Sequence, residues 1–385
     1  MCNKIFKVFG VVLTLFAFSG EVLAADNIKV GISAAFSGPA KALGNGVKSG
    51  IELYFAEVNK AGGINGSQLE LVALDDSYEP KKVGPNVRQL IDDKSILAIL
   101  GNVGTPTAVV TVPIVNEKKI MLFGAFTGAG LLRKTPPDRY IINYRASYAE
   151  ETAAMVEGLL KSGIKPEEIA FFTQNDGYGD AGYKGAIAAL KAKGFNKAGS
   201  LAHGRYERNT VNVEDGLGAI LDSDIEPKAI IMVGSYKPCA AFIKLAKEEL
   251  PEVKFLNVSF VGSRALAKEL GDKGDGVIVT QVVPHYDSDL VAVKSYKAAL
   301  KNYAKNKIPD FVSLEGYLLA KVFVEGLKKS KTPLTRESVI DGVEAIGKLD
   351  IGIGVDVNLS AKDHQASHKI WPTVLKNGKF ELLEW

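Results

Sequence analysis

Residues 96–107 read ILAILGNVGTPT and combine a short apolar run, a loop with two glycines, and a Thr-Pro pair that is typical of a helix start. A run that is apolar throughout, rather than alternating with polar residues, is expected of a strand covered on both faces. We predict that Thr105 caps the following helix and that Pro106 lies in its first turn. The stretch therefore predicts a strand of a parallel sheet, followed by a loop and a helix.

The same unit of strand, loop and helix recurs along the chain. Further apolar runs predict strands over residues 28–33, 69–74, 120–123, 169–173, 229–233 and 255–259. Amphipathic stretches such as residues 47–59 and 183–193 lie between them and have the spacing of helices. Strands alternating with helices indicate βαβ crossovers. The sequence predicts an α/β protein with parallel sheets and helices on both faces.

The N-terminal residues have the layout of a secretory signal peptide. Lys4 and Lys7 precede an apolar run over residues 8–18, and small residues end at Ala24, where we expect cleavage. The apolar run is too short for a membrane span, which needs about 20 residues. We therefore expect residues 25–385 to form an exported, periplasmic protein. At roughly 100 to 200 residues per domain, this length predicts two domains.

Two segments, residues 140–145 and 274–281, are predicted to connect two series of strands and helices. A chain that leaves one lobe and later returns makes both lobes discontinuous, with a hinge at the connections and a cleft between the lobes. We predict a first lobe over residues 25–145 and 278–365, and a second lobe over residues 146–277 and 366–385.

Charge and cysteine content exclude several classes of partner. With 47 basic and 44 acidic residues, the formal net charge is +3, which provides no broad field for nucleic acid or acidic membranes. We expect no nucleic-acid partner. Cys2 leaves with the signal peptide, so Cys239 is the cysteine that stays, and the mature chain cannot form an internal disulfide.

The glycines of residues 44–50, GNGVKSG, imitate a dinucleotide-binding fingerprint. That fingerprint places its glycines directly after the first strand, because the pyrophosphate must approach the backbone at the helix start. Here five residues, FSGPA at 36–40, intervene, and the glycine spacing differs. We expect no nucleotide cofactor.

His364 and His368 are four residues apart, the spacing that puts two zinc ligands on one helix face in zinc peptidases. Gln365 occupies the position of the general base, and an amide cannot take up a proton. We predict surface or capping roles for both histidines and no metal site. Without a nucleophile motif or an acid-base pair, the sequence indicates a protein that is not an enzyme.

Four loops follow predicted strands and carry groups that suit a ligand. Residues 101–107 and 124–130 combine small residues with threonine hydroxyls, whereas residues 174–179 and 234–238 each carry a tyrosine. In open α/β sheets, ligands bind beyond the carboxyl ends of the strands. We predict that these loops form the ligand site, in the cleft between the lobes.

Five segments make the chain resemble the leucine/isoleucine/valine-type periplasmic binding proteins: FSGP at 36–39, NKAGGING at 59–66, GNVGT at 101–105, AFT at 125–127 and DGYG at 176–179. The likeness runs over nearly the whole mature chain. It implies the periplasmic-binding-protein type I fold, in which a hinge joins two doubly wound parallel-sheet lobes. It also implies a substrate-binding protein of an ABC transporter that takes a small amino acid or related carboxylate.

Carried over residue by residue, the resemblance implies hydroxyl contacts from Thr105 and Thr127, a backbone contact from Ala125, and walls from Tyr178 and Tyr236 of the closing lobe. The residues predicted to bind the ligand are Leu43, Thr105, Ala125, Phe126, Thr127, Arg145, Tyr178 and Tyr236. At Leu43, many members of the family have an aromatic residue instead.

The loop at residues 260–264, FVGSR, departs from the family pattern, because amino-acid binders place there the acid that pairs with the ligand's ammonium group. A buried ammonium without an anion costs several kcal/mol. Arg145 or Arg264 near the cleft would favour an aliphatic or aromatic carboxylate without an α-amino group. An acid from elsewhere in the chain keeps an amino acid open as the ligand: Glu151, Asp287 or Glu315.

The expected cycle is a hinge closure, in which the ligand binds the first lobe and its contacts with the second lobe favour the closed form. The closed monomer then docks on the permease of an ABC transporter in the inner membrane. A signalling receptor that recognises the same closed shape is the alternative partner.

Overall fold

The computed structural model describes residues 27–385. The first sheet is formed by the beginning of this part of the chain. The predicted signal peptide over residues 1–24 lies outside the described residues. The elements of this part are β1 (Ile28–Ala34), α1 (Lys41–Lys60), β2 (Leu69–Asp75), α2 (Pro80–Asp92), β3 (Ile96–Leu100), α3 (Thr105–Lys118), β4 (Met121–Phe123) and β5 (Ile141–Ile142).

The second sheet is built largely by the middle of the chain. Its elements are α4 (Tyr148–Lys161), β6 (Ile169–Gln174), α5 (Gly177–Ala192), β7 (His203–Tyr206), α6 (Glu214–Leu221), β8 (Ala229–Val233), α7 (Tyr236–Glu249), β9 (Lys254–Asn257), α8 (Ser263–Leu270) and β10 (Ile278–Gln281).

The last part of the chain contributes helices to the first lobe and two strands to the second sheet. Its elements are α9 (Val291–Tyr303), α10 (Phe311–Lys329), α11 (Arg336–Glu344), β11 (Gly347–Asp350), β12 (Asp356–Leu359), β13 (Trp371–Lys376) and β14 (Lys379–Leu382). Helices α9 and α10 pack on α1, and β11 and β12 form a separate antiparallel pair. In the described part of the chain, no helix has the length and apolar character that a membrane crossing requires.

Strand order explains where a cleft can form. The first sheet has the order β2-β1-β3-β4-β5, and all its pairs are parallel. The second has the order β14-β13-β10-β9-β8-β6-β7, which is parallel from β10 to β7. The order reverses between β1 and β3 and between β6 and β8, and such switch points open a crevice at the carboxyl ends of the strands. The predicted α/β class with two doubly wound lobes is confirmed.

The chain crosses between the lobes over residues 143–147, 282–290 and 360–370. The second crossing differs from the predicted connector at residues 274–281. Strand β10 pairs with β9 and β13 inside the second sheet, so residues 278–281 belong to the second lobe and the chain leaves only afterwards. The first and third crossings are joined by hydrogen bonds, since the Asn143 amide donates to the His364 carbonyl at 2.7 Å.

Local details correct the predicted N-cap of α3 and show where the two histidines lie. Gly104, not Thr105, is the N-cap of α3: its φ of 102° suits glycine, and Thr105 is the first helical residue. Residues 361–370 form no helix, so His364 and His368 do not share a helix face. His364 contacts the Ile141 carbonyl at 2.9 Å, whereas His368 contacts Glu150 at 2.6 Å.

Burial accounts for the apolar strands. Every residue of β6 and of β8 is buried, as expected of strands that are covered on both faces. In the first lobe, α1 and α10 approach closely enough that a Cβ added to Gly50 would overlap the Ser313 carbonyl oxygen, and one added to Gly316 would overlap the Val47 carbonyl oxygen. Glycine is required where two helix backbones approach this closely.

We predict that Gly50→Ala destabilises the protein by about 1–3 kcal/mol, because the added methyl group meets the backbone of α10 rather than a movable side chain. The matched control is Gly218→Ala on α6, where an added Cβ has no heavy atom within 4 Å. The control should be neutral or gain about 0.5–1 kcal/mol, since alanine lowers the entropy of the unfolded chain. Urea unfolding measures both, and equal stability of the two variants would contradict the close packing.

Candidate ligand-binding cleft

The loops at the two switch points face each other across the lobes. Gly177, at the start of α5, lies beside Thr105 of α3: a Cβ at Gly177 would be 3.8 Å from the Thr105 Cγ2. The Tyr236 hydroxyl, at the start of α7, lies 3.5 Å from the Ala42 amide on α1. The structure thus brings both predicted loops of the second lobe against the first lobe.

Thr105 and Thr127 form a hydroxyl pair in the first lobe. Their Oγ1 atoms are 2.7 Å apart, and both side chains are fully buried. The loops that carry them are joined to each other, since the Phe126 amide donates to the Asn102 carbonyl at 2.8 Å and the Gly104 amide donates to the Phe126 carbonyl at 3.1 Å. The pair lies at the N-terminus of α3, where the helix dipole favours negative charge.

Five buried rings form what we call the aromatic cluster: Tyr78 and Phe126 of the first lobe, and Tyr148, Tyr178 and Phe260 of the second. Ring centroids are 4.5 Å apart between Tyr178 and Phe260, 5.5 Å between Phe126 and Phe260, and 5.3 Å between Tyr148 and Tyr178. Tyr78 lies 6.0 Å from Phe260. The cluster therefore spans the cleft and has rings from both lobes in contact.

Sequence reasoning missed Tyr78, Tyr148 and Phe260 as site residues. A signal was present, because Tyr78 and Phe260 follow strands β2 and β9, and Tyr148 is the first residue of α4. The ring of Tyr78 also explains why position 104 is a glycine, because the ring lies where a Cβ of Gly104 would be. Burial raises the pKa of Tyr148 to about 12, against the lowering effects of Arg145 and of the Thr127 hydroxyl.

Arg145 lies at the base of the cleft, in the first crossing, and is fully buried. Its Nη2 is 3.6 Å from a Glu151 oxygen and its Nε is 3.5 Å from a Glu315 oxygen. The guanidinium group also donates to the Ser259 hydroxyl and lies 4.6 Å above the centre of the Phe126 ring. We call Arg145, Glu151 and Glu315 the hinge ion cluster.

The two acids of the hinge ion cluster differ in their surroundings. Glu151 accepts from the Ser259 amide at 2.7 Å and from the Thr280 hydroxyl at 2.6 Å. Burial raises the pKa of Glu315 to about 7, although the charge of Arg145 opposes this rise. Within residues 27–385, the Arg145 Nε and Nη1 have no hydrogen-bond partner. The two acids therefore compensate the charge of Arg145 without satisfying all of its donors.

Two other charged candidates lie away from the aromatic cluster. Arg264 is exposed and donates to the carbonyls of Ile308 and Pro309, each at 3.2 Å. Asp287 is exposed and pairs with Lys297 at 3.2 Å. The expectation that Arg264 or Asp287 supplies a charge inside the cleft is therefore wrong, because both side chains extend to the surface.

Of the remaining predicted residues, Leu43 contacts the opposite lobe, whereas Ala125 and the Tyr178 hydroxyl make contacts within their own lobes. Leu43 is fully buried, and its Cδ2 would be 2.5 Å from a Cβ at Gly262, so the second lobe contacts it directly. Ala125 is buried, and its carbonyl accepts from the Thr127 amide at 2.7 Å. The Tyr178 hydroxyl donates to the Gly234 carbonyl at 3.1 Å, within the second lobe.

Polar contacts at the rim also join the lobes. Glu79, just before α2, accepts from Arg208 at 3.1 Å and from Asn209 at 2.7 Å. Deeper in the cleft, the Gln174 amide donates to the Tyr78 hydroxyl at 3.3 Å. Together with the buried aromatic cluster, these contacts describe a closed arrangement of the lobes. No group of three potential metal ligands occurs among residues 27–385.

Comparison with known proteins places this geometry in a family. The family described as periplasmic binding protein matches residues 27–379. A possible leucine/isoleucine/valine-binding protein from Rhodopirellula baltica SH 1 shares 46% sequence identity and superposes with a TM-score of 0.92, covering 95% of this chain and 98% of its own.

More distant relatives have names that refer to different ligands. The leucine-, isoleucine-, valine-, threonine- and alanine-binding protein of Pseudomonas aeruginosa is 23% identical over 83% of this chain and 82% of its own. A fatty acid ABC transporter substrate-binding protein from Thermomonospora curvata has the same fold, with a TM-score of 0.81 at 21% identity over 93% of this chain and 92% of its own. The match over nearly the whole described chain confirms the resemblance found in the sequence, and the chain belongs to the periplasmic binding protein family.

Proposed function

We propose that this protein is the substrate-binding protein of an ABC importer and encloses a small amino acid or related carboxylate between its lobes. The observation that carries the proposal is the buried pair of Thr105 and Thr127 hydroxyls, 2.7 Å apart at the N-terminus of α3 and facing the second lobe. Hydroxyl groups and free amides at a helix start suit a carboxylate, since hydrogen bonds to an ionised acceptor are the strong ones.

The aromatic cluster supports an apolar ligand body. Phe126 directly precedes Thr127 in the chain. Tyr178 directly follows Gly177, which lies beside Thr105. A carboxylate held by the hydroxyl pair would therefore carry its body towards these rings. Aromatic side chains bury large areas and keep a polar tip where tyrosine is used, so they can enclose an aliphatic or aromatic body.

Hinge closure supplies the mechanism. The contacts of Glu79 with Arg208 and of Tyr78 with Gln174 join the lobes and are available only when the lobes meet. A ligand that bridges both lobes adds to them and shifts the balance towards the closed form. A shift from about 1% to 99% closed needs roughly 5.5 kcal/mol of differential affinity. A few charged hydrogen bonds and ring contacts supply energies of this order.

One observation favours a ligand without an α-amino group as the second candidate. The loop after β9 presents Phe260, and the acid that reaches this loop, Glu151, already accepts from Ser259 and Thr280 and lies beside Arg145. The Arg145 guanidinium therefore already pairs with the carboxylate that a ligand ammonium group would need. Glu315 lies 3.5 Å from the Arg145 Nε, so an amino acid would have to share either buried acid with Arg145.

A thermal-shift screen of the mature protein distinguishes the two ligand classes. We expect carboxylates to raise the melting temperature, since a ligand at 100 times its Kd adds about 2.7 kcal/mol to the free energy of unfolding. Matched pairs that differ only in the α-amino group, such as leucine and 4-methylpentanoate, decide whether the amine contributes. A response to neither class would overturn the proposed function.

Thr127→Val should weaken binding of the compound found in that screen. The loss of a hydrogen bond to a charged group is expected to cost about 1.5–3 kcal/mol, roughly tenfold to hundredfold in Kd by calorimetry. The matched control is Thr111→Val on α3, whose hydroxyl is buried and donates to the Thr107 carbonyl at 3.0 Å. If both variants bind as the wild type does, Thr127 is not a ligand contact.

Glu79→Ala should raise the Kd about twofold to fivefold by removing a partly exposed ion pair that joins the lobes, worth about 0.5–1 kcal/mol. The difference should shrink at high salt, because exposed charges are screened. Glu52→Ala is the control, since Glu52 pairs with Lys48 within α1 and contributes nothing to closure. An equal effect of the two variants would argue against a role of the rim contact in closure.

A further inference from the structure

The ring of Phe260, in the second lobe, packs between rings of both lobes. Phe260 is 0% exposed, and its ring lies 5.5 Å from Phe126 and 6.0 Å from Tyr78 of the first lobe, as well as 4.5 Å from Tyr178 of its own lobe. Among the rings of the aromatic cluster, Phe260 is thus in contact with three others. It occupies the middle of the closed cleft.

The backbone around Phe260 is held from two sides. Before it, the amide and the hydroxyl of Ser259 both donate to Glu151, at 2.7 and 2.9 Å. After it, Gly262 has a φ of 78°, and a Cβ there would be 2.5 Å from Leu43 of the first lobe. The ring position is therefore determined by the hinge ion cluster on one side and by the first lobe on the other.

Two rings that contact Phe260 connect it with the hydroxyl pair. Phe126, one neighbour of the ring, precedes Thr127 in the chain, and Tyr178, another neighbour, follows the glycine beside Thr105. A ligand body that extends from the two hydroxyls into the aromatic cluster meets the ring of Phe260. Because interiors are close-packed, the volume of this side chain limits the length of the body that fits.

We propose that Phe260 is a specificity-determining residue: its ring sets the length of the ligand body that fits beyond the Thr105 and Thr127 hydroxyls. The inference rests on the proposed function, because it presumes that a carboxylate binds at this hydroxyl pair. A smaller side chain at position 260 shifts the preference towards longer ligands, whereas the carboxylate contacts stay the same.

The test uses Phe260→Leu and Phe260→Ala in the mature protein, with straight-chain monocarboxylates from acetate to octanoate and α-amino acids from glycine to phenylalanine as probes. Calorimetry gives the rank order of Kd within each series. In both variants, we expect the tightest-binding member of each series to be a longer compound than in the wild type. The affinity for that longer compound, relative to the affinity for the ligand that the wild type prefers, should rise about tenfold. Phe260→Leu keeps most of the side-chain volume, so the test survives if Phe260→Ala does not fold.

The matched control is Phe242→Leu, a fully buried ring of the same lobe that stacks on Phe172 at 3.8 Å, away from the cleft. This variant should lower the melting temperature but leave the rank order unchanged. An unchanged rank order in both Phe260 variants, or the same change in Phe242→Leu, would overturn the role of Phe260 while the proposed function stands. If the wild type binds no member of either series, the proposed function fails and the inference fails with it.

Discussion

Arg145 is fully buried where the chain first crosses between the lobes, and a buried guanidinium group is tolerated only when its charge is compensated. Glu315 of the first lobe and Glu151 of the second do this from two sides, at 3.5 and 3.6 Å. Removing one partner of such a buried pair typically costs about 3–5 kcal/mol, because a charge is left without compensation. The hinge ion cluster therefore ties the two lobes where the chain first crosses between them.

The same cluster organises the cleft above it. Glu151 holds the Ser259 amide, and the following residue is Phe260, whose ring meets both lobes. The Arg145 guanidinium lies on the Phe126 ring, a cation-π contact that also orders the base of the cleft. Charge at the hinge and aromatic packing in the cleft are thus parts of one connected arrangement. Above this base, rings and rim contacts of both lobes meet.

Much of the fold was predictable because its signals are local. The buried runs of β3, β6 and β8 are largely apolar, and they alternate with helical segments. This pattern predicts a parallel α/β architecture. The predicted connector over residues 274–281 is wrong at β10. This strand has four residues and follows a glycine-rich turn. Only its pairing with β9 and β13 shows that it belongs to the second sheet.

The candidate site was predictable in part. Loops after β3, β4, β6 and β8 were identified from strand ends, and Thr105 and Thr127 are indeed neighbours in the structure. Tyr78 and Phe260 were missed, because nothing in a short window indicates that two rings so far apart in the chain meet across a cleft. Arg264 was expected near the cleft, but its helix turns the side chain towards surface carbonyls of the first lobe.

By itself, the sequence determined the α/β class, two lobes, the family, and the strand ends at which a ligand site can lie, because periodicity, apolar runs and motif order are properties of short segments. Only the tertiary structure decided that Arg145 is shared between Glu151 and Glu315, and that Phe260 lies between Tyr78 and Phe126. Those contacts join residues from different lobes, and their geometry follows from how two separately packed sheets meet at the hinge.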